Sequence, residues 1–300
     1  GSKTDLRETV FMIIDIRMRL EALRQDPDLL DEHAENALEQ FDCVDAAVIA
    51  GHRSERLGSH VPAEGIAGVV NRHPERFAGF AGIDPTLESA LDDIDRAVDL
   101  GMAGAVISPA DQGCRATSDA CMAALERCGQ RRLPVLVANA HLRDPRSVLE
   151  FARPDTLDEA ARSFRDLTLI LGDLGHGYLD DALLMVVRHE RVFAEISTLI
   201  GKPWRLYNAL LSAHESDVMD KLIFGSGAPD ISPESAIERV YSINGIRAGS
   251  SLPAIPRESL RRIVERDSLT LLGVDHELGP ARSAEAALVR PAASSDPVNN

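Results

Sequence analysis

The sequence predicts an α/β protein folded as one (β/α)8 barrel. Three observations carry that expectation. Eight short apolar runs alternate with segments of helical periodicity between Phe11 and Val274. The runs are apolar throughout, as in parallel strands covered on both faces. A chain of 300 residues is long enough for one large domain that buries roughly 75% of its unfolded surface.

Phe11-Met-Ile-Ile-Asp-Ile-Arg-Met-Arg19 reads as the first strand. Its apolar residues run into Asp15, and period-two spacing places Arg17 and Arg19 on one face. A helical stretch follows from about Arg19 to Gln40, then a second strand at Asp45–Ala50 and a loop from Gly51 to Pro62. A helix leads to His73-Pro-Glu-Arg-Phe77, where the third strand begins and runs to Ile83. Leu87–Leu100 has Ala90, Leu91, Ile94, Ala97 and Val98 at helical spacing. Gly104–Ser108, Pro134–Asn139, Leu167–Gly172, Arg191–Ile196 and Leu222–Gly225 supply strands four to eight. Helices are expected at Asp119–Cys128, Leu157–Phe164, Leu179–His189, Leu206–His214, Pro233–Ser242 and Arg257–Leu272. Residues 1–10 read as a tag and N-terminal segment opening on a Gly1-Ser2 cloning scar, and 11–274 as the barrel. Residues 275–300 turn to Ala, Ser and Pro, the composition of a disordered tail.

The formal charge of −16 argues against nucleic acid as a partner. No apolar run approaches the ~20 residues of a membrane span, and no secretory pattern opens the chain. Cys43, Cys114, Cys121 and Cys128 form no C-x-x-C pair, so reduced thiols and a cytoplasmic location are expected. The spacing of seven among the last three suits packing on a helix face better than metal ligation.

His73-Pro-Glu-Arg-Phe-Ala-Gly-Phe-Ala-Gly-Ile-Asp-Pro85 resembles a segment of the amidohydrolase-2 family, the branch with the aminocarboxymuconate-semialdehyde decarboxylase-like enzymes. Gly101-Met-Ala-Gly-Ala-Val-Ile-Ser-Pro109, Leu133-Pro-Val-Leu-Val137, Leu167–Gly172, Lys221-Leu-Ile-Phe-Gly-Ser226 and Leu271-Leu-Gly273 resemble its later segments in order and spacing. The resemblance covers about 11–274 and implies an amidohydrolase-like TIM barrel. It also implies a metal site that this chain has lost. The family's first strand ends D-x-H-x-H; here Asp15 stands, but Arg17 and Arg19 replace the histidines. The later ligand positions are Ser108, Ala138, Asp173 and Gly227, the last in place of the aspartate that binds metal and acts as base. Guanidinium has no acceptor lone pair and repels a cation, so no metal ligand and no cofactor are assigned.

Asp15, Arg17, Arg19, Ser108, Asn139, His141, Asp173 and His176 are the candidate ligand-binding residues at the barrel mouth, with Asp173 and His176 the candidate acid–base pair. Arg17 and Arg19 either clamp an anion or fill the emptied site by pairing with Asp15 or Asp173. For Asp173 and His176 the favoured reading is a glycine-rich turn with a structural Asp. His141, like His52 and Arg53, is also consistent with a surface loop, and Asp111 and Gln112 read as loop polar groups. Ser226 lacks the G-x-S-x-G pattern of a serine hydrolase. The leading expectation is a non-catalytic pseudoenzyme, a binding or partner subunit. The resemblance implies a homodimer, or a heterodimer supporting an active amidohydrolase relative. The alternative is a metal-independent hydrolase, decarboxylase-like lyase or isomerase acting on a small carboxylated or otherwise anionic substrate.

Overall fold

Strand β1, Ile14–Met18, is buried along its length and opens a parallel sheet whose order follows the chain. We describe the protein from a computed structural model that covers residues 12–20, 35–36, 38–39, 41–175 and 177–278. The other seven sheet strands are β2 (Ala46–Ala50), β5 (Phe77–Gly82), β6 (Gly104–Ile107), β7 (Val135–Val137), β8 (Leu169–Leu171), β9 (Val192–Glu195) and β10 (Leu222–Ile223). They lie in the order β1-β2-β5-β6-β7-β8-β9-β10, and each neighbouring pair is parallel. The first and last strands meet through backbone hydrogen bonds from Ile16 N to Phe224 O (3.2 Å), Gly227 N to Arg17 O (3.1 Å) and Arg19 N to Ala228 O (3.0 Å). The sheet is thus a nearly closed eight-stranded barrel, as the apolar runs predict.

Period-two alternation divides the core into two layers. Ile14, Ile16, Val48, Phe80, Val106, Leu136, Ile170, Phe193 and Ile223 pack together inside the barrel. Their neighbours Ala47, Ile49, Ala105, Ile107, Val135, Val137, Leu169 and Leu171 pack outward against the helices. Two buried faces explain the lack of polar alternation in these strands. Gly104 is required by this packing, because a Cβ there would stand 2.7 Å from the Phe80 ring.

The helices Ala63–Arg72, Ala90–Asp99, Asp119–Gln130, Leu179–Arg188, Pro203–Glu215 and Pro233–Tyr241 follow the helical patterns closely. Ser118 caps one by accepting from Cys121 N, and Ser232 caps another by accepting from Ser235 N. No disulfide joins Cys43, Cys114, Cys121 and Cys128.

Two departures have physical causes. The expected loop Gly51–Pro62 contains a short antiparallel hairpin, β3 (Arg53–Ser54) with β4 (Ser59–His60). Strands of two residues are too short to show periodicity. The expected helix Arg257–Leu272 is two helices, Arg257–Val264 and Ser268–Leu271, with Asp267 capping the second by accepting from Thr270 N. Beyond residue 274, His276 Nε2 lies 2.9 Å from Asp267 Oδ1, and Leu278 is buried against the barrel-interior cluster. Residues 279–300, residues 1–10 and most of the expected helix Arg19–Gln40 lie outside the described residues. No helix among the described residues is long and apolar enough to cross a membrane.

Candidate active site

The C-terminal ends of the barrel strands hold two separate polar groups. The first surrounds Arg17, whose side chain is only 5% exposed. Its Nη1 pairs with Asp173 Oδ1 at 2.8 Å, forms an ion pair with Glu195, and donates to Ser197 Oγ at 3.2 Å. Burial opposes the guanidinium charge, but Asp173 and Glu195 outweigh it and hold the pKa above its ordinary value. Burial also raises the Glu195 carboxyl, with Arg17 pulling the other way and Asp173 adding to the rise. Backbone donors complete the network. Asp173 N and Ser197 N donate to Glu195, and Thr198 N donates to Asp173. Asp173 and Leu174 adopt left-handed backbone, with φ of 54° and 45°, in the turn after β8.

The sequence leaves Arg17 and Arg19 either to clamp an anion or to pair with Asp15 or Asp173; for Arg17 the structure shows the Asp173 pairing. Asp15 Oδ1 accepts the backbone N–H groups of Arg17 and Ser226, each at 3.0 Å. It serves the seam between first and last strands. Burial raises its pKa against those hydrogen bonds. Glu195 was missed. Its one signal is a carboxylate ending an otherwise apolar strand. Arg19, expected on the same face as Arg17, stands beyond the end of β1 and has different partners. It donates to Asp230 Oδ2 at 2.5 Å and Gly227 O at 3.3 Å, with 26% of its side chain exposed. His176 lies outside the described residues, so the expected Asp173–His176 pair has only its Asp173 half described.

The second group gathers His52, Asp111 and His141, which follow β2, β6 and β7. One candidate donor atom from each lies within 4.8 Å of the others. Asp111 is fully buried in the short helix Pro109–Gln112. Its Oδ2 accepts from His141 N at 3.1 Å and lies 3.3 Å from His141 Nδ1, while Oδ1 accepts from Ser147 Oγ at 2.9 Å. Burial works to raise the Asp111 pKa, but these bonds and the neighbouring imidazoles outweigh it and lower it. The His52 and His141 ring centroids stand 4.8 Å apart.

Neighbouring contacts brace the elements that carry this cluster. Gln112 Nε2 donates to Arg53 O (2.8 Å) and Ile83 O (2.6 Å), and Ser54 Oγ donates to Asp111 O (2.7 Å). The β3–β4 hairpin and the Asp111 helix are thereby tied together. Ser108 Oγ donates to Ala138 O at 2.5 Å and lies 3.4 Å from His52 Nδ1. The single hydroxyl proton is committed to Ala138, which assigns the His52 proton to Nδ1 and leaves Nε2 as the lone-pair nitrogen. Asn139 is a framework residue, its Oδ1 accepting from Ala110 N at 2.8 Å. These side chains come from three βα loops, so no sequence spacing reveals them. His52, His141 and Asp111 read individually as loop residues.

A cleft partly open to solvent joins the two groups. Arg17, Arg19, His52 and His141 supply its polar lining, and Ala50, Val61, Val106, Leu136 and Ala138 are among its apolar walls. A metal at the position inferred from the resemblance does not fit these residues. Arg17 occupies the carboxylate Asp173, and Gly227 carries no donor side chain. The sequence assigned no metal ligands elsewhere, whereas the structure brings the His52, Asp111 and His141 donors together.

The amidohydrolase family model matches residues 31–272. Among solved structures, an uncharacterised TIM-barrel protein from Bordetella bronchiseptica aligns over 87% of this chain and 98% of its own, at 16% identity and a TM-score of 0.69. A 2,6-dihydroxybenzoate decarboxylase from Rhizobium aligns over 88% and 99%, at 15% identity and a TM-score of 0.60. A 5-carboxyvanillate decarboxylase from Sphingomonas paucimobilis aligns over 88% and 100%, at 14% identity and a TM-score of 0.61. A search of curated proteins finds no match.

Proposed function

This chain belongs to the amidohydrolase family, and from that premise we propose that it is a decarboxylase-like lyase acting on a small, planar, carboxylated substrate in the mouth cleft. The observation that carries the reading is the cleft itself, where apolar walls meet one partly exposed guanidinium and two imidazoles. Apolar walls suit a ring, and a few placed polar groups orient it. The Arg19–Asp230 pair is exposed on its Asp230 side (73%), and such pairs are worth about 0–1 kcal/mol. Exchanging Asp230 for an anionic ligand therefore costs little.

Decarboxylation breaks the carbon–carboxylate bond. Carbon dioxide leaves, the electron pair stays on the ring carbon, and that carbon takes up a proton. The imidazoles of His52 and His141 stand in the cleft wall and are the side chains there able to pass a proton to that carbon. Arg19 anchors a second anionic or hydroxyl group of the substrate. Pairing it with the departing carboxylate would stabilise the ground state and oppose the reaction. The two decarboxylase neighbours support this reaction class. The partner-subunit reading rests on the Arg17 plug, and that plug leaves the Arg19 side of the cleft open.

The test is a thermal-shift and calorimetric screen of hydroxybenzoates and benzene dicarboxylates against their neutral alcohol analogues. A carboxylated ring at 100-fold its Kd stabilises by about 2.7 kcal/mol. Arg19→Met removes that shift while leaving the fold intact, and carbon dioxide release identifies the turned-over substrate. Equal shifts from neutral and carboxylated rings, or none from either, would refute the reading.

A further inference from the structure

We propose that His52, Asp111 and His141, which follow β2, β6 and β7, form a divalent-cation site of the zinc or cobalt type. This inference goes beyond the proposed reaction and does not depend on it. Three observations lead to it.

The first is geometry. Donors bound to one tetrahedral cation at ~2.0–2.1 Å stand roughly 3.3 Å apart. Asp111 Oδ2 and His141 Nδ1 stand 3.3 Å apart, and the full donor set lies within 4.8 Å. Drawing the widest separation in from 4.8 Å to that spacing takes a shift of about 1.5 Å.

The second is charge. Asp173 and Glu195 have Arg17 as their permanent counter-charge. Buried Asp84 accepts from Glu55 N, Thr86 N and Thr86 Oγ1. Asp111 is equally buried, but among the described residues its ion-pair partner is His141, with no arginine or lysine nitrogen within 4.0 Å. A buried carboxylate is stabilised by hydrogen bonds, by a positive charge, or by both. A cation held between Asp111 and the two imidazoles supplies a positive charge that does not depend on protonating a histidine.

The third is the surrounding shell. Histidine ligands commonly donate their other ring proton to a fixed acceptor, and ligating carboxylates are themselves hydrogen-bonded. His52 Nδ1 faces Ser108 Oγ, and Asp111 Oδ1 accepts from Ser147 Oγ. Two nitrogen donors and one oxygen favour zinc or cobalt over magnesium or calcium, which prefer all-oxygen sets. Three protein ligands leave a coordination position for a substrate oxygen, and a cation there supplies Lewis-acid polarisation.

The experiment uses the full chain, stripped with chelator and desalted. Equilibrium dialysis against Zn(II) with elemental analysis measures stoichiometry, and Co(II) substitution reads the ligand field by visible absorption. The expected result is one equivalent of Zn(II) and a Co(II) spectrum with imidazole coordination. His52→Gln and His141→Gln each weaken binding by at least ~10–100-fold, whereas His189→Gln, on the far side of the barrel, leaves it unchanged. Circular dichroism confirms that each variant folds. Less than a tenth of an equivalent in the wild type, or unchanged affinity in both cluster variants, overturns the proposal. Carboxylate binding by the stripped protein is scored separately, so its presence or absence speaks only to the reaction proposed above.

Discussion

Replacing Arg17 by Met keeps much of the side-chain volume and removes the charge between Asp173 and Glu195. Both carboxylates are within 1% of full burial, and Arg17 is the guanidinium paired with both. Stranding a buried charge by deleting its partner costs about 3–5 kcal/mol. At ~2–3 °C per kcal/mol for a domain of this size, the melting temperature falls by roughly 6–15 °C at pH 7. The loss depends on pH in a definite direction. Glu195 already has a raised pKa from burial, and deleting Arg17 removes the interaction that lowers it. A carboxyl whose folded pKa is raised contributes its full stability below its unfolded value of about 4.3, and loses it as pH rises through the folded value. The deficit of Arg17→Met is therefore smallest near pH 4–5. It grows by up to about 1.4 kcal/mol per pH unit for each proton held. Adding Glu195→Gln to Arg17→Met removes one stranded charge and recovers part of the loss at pH 7. Urea unfolding of the three proteins at pH 5 and pH 7.5 measures this. A deficit under 1 kcal/mol, or one that does not change with pH, would refute the plug as the reason for these residues.

Further outcomes follow from other positions. Gly82→Ala places a Cβ 2.5–2.8 Å from backbone atoms of His52 and Arg53, so it should destabilise by about 1–3 kcal/mol. It should also weaken Zn(II) binding by moving His52, measured by urea unfolding and dialysis. Asp15→Asn keeps an acceptor for the Arg17 and Ser226 N–H groups and removes a carboxyl whose pKa burial raises. That carboxyl loses stability as pH rises, so the variant should gain on the wild type between pH 4 and pH 8 in thermal melts. Arg132 is exposed and holds φ of 57°, so Arg132→Gly relieves a left-handed backbone and should stabilise by about 0.5–1 kcal/mol in the same melts.

The barrel is legible in the sequence because each strand is buried on two sides and written as an unbroken apolar run. Gly104-Ala-Val-Ile107 shows it in miniature, with Val106 inside and Ala105 and Ile107 outside. That Arg17 and Gly227 stand where the resemblance expects metal ligands is legible too. The partners that hold Arg17 are not. Glu195 is separated from Arg17 by 178 residues, and only barrel closure brings them together. The same holds for His52, Asp111 and His141, whose loops meet because β2, β6 and β7 end at one rim. The β3–β4 hairpin that holds His52 in place is too short to leave a pattern.

The Arg17 plug also changes how this end of the barrel answers to its surroundings. A metal ion that ties strands together obeys mass action, so its contribution falls when the free ion is scarce and vanishes under a chelator. A guanidinium carried on β1 has no dissociation constant to satisfy. The ends of β1, β8 and β9 are joined as soon as the chain folds, whatever ions are available. The cost is that the joint cannot be emptied and refilled. The groups proposed above to exchange ligands, the Arg19–Asp230 pair and the His52, Asp111 and His141 cluster, are separate from this joint.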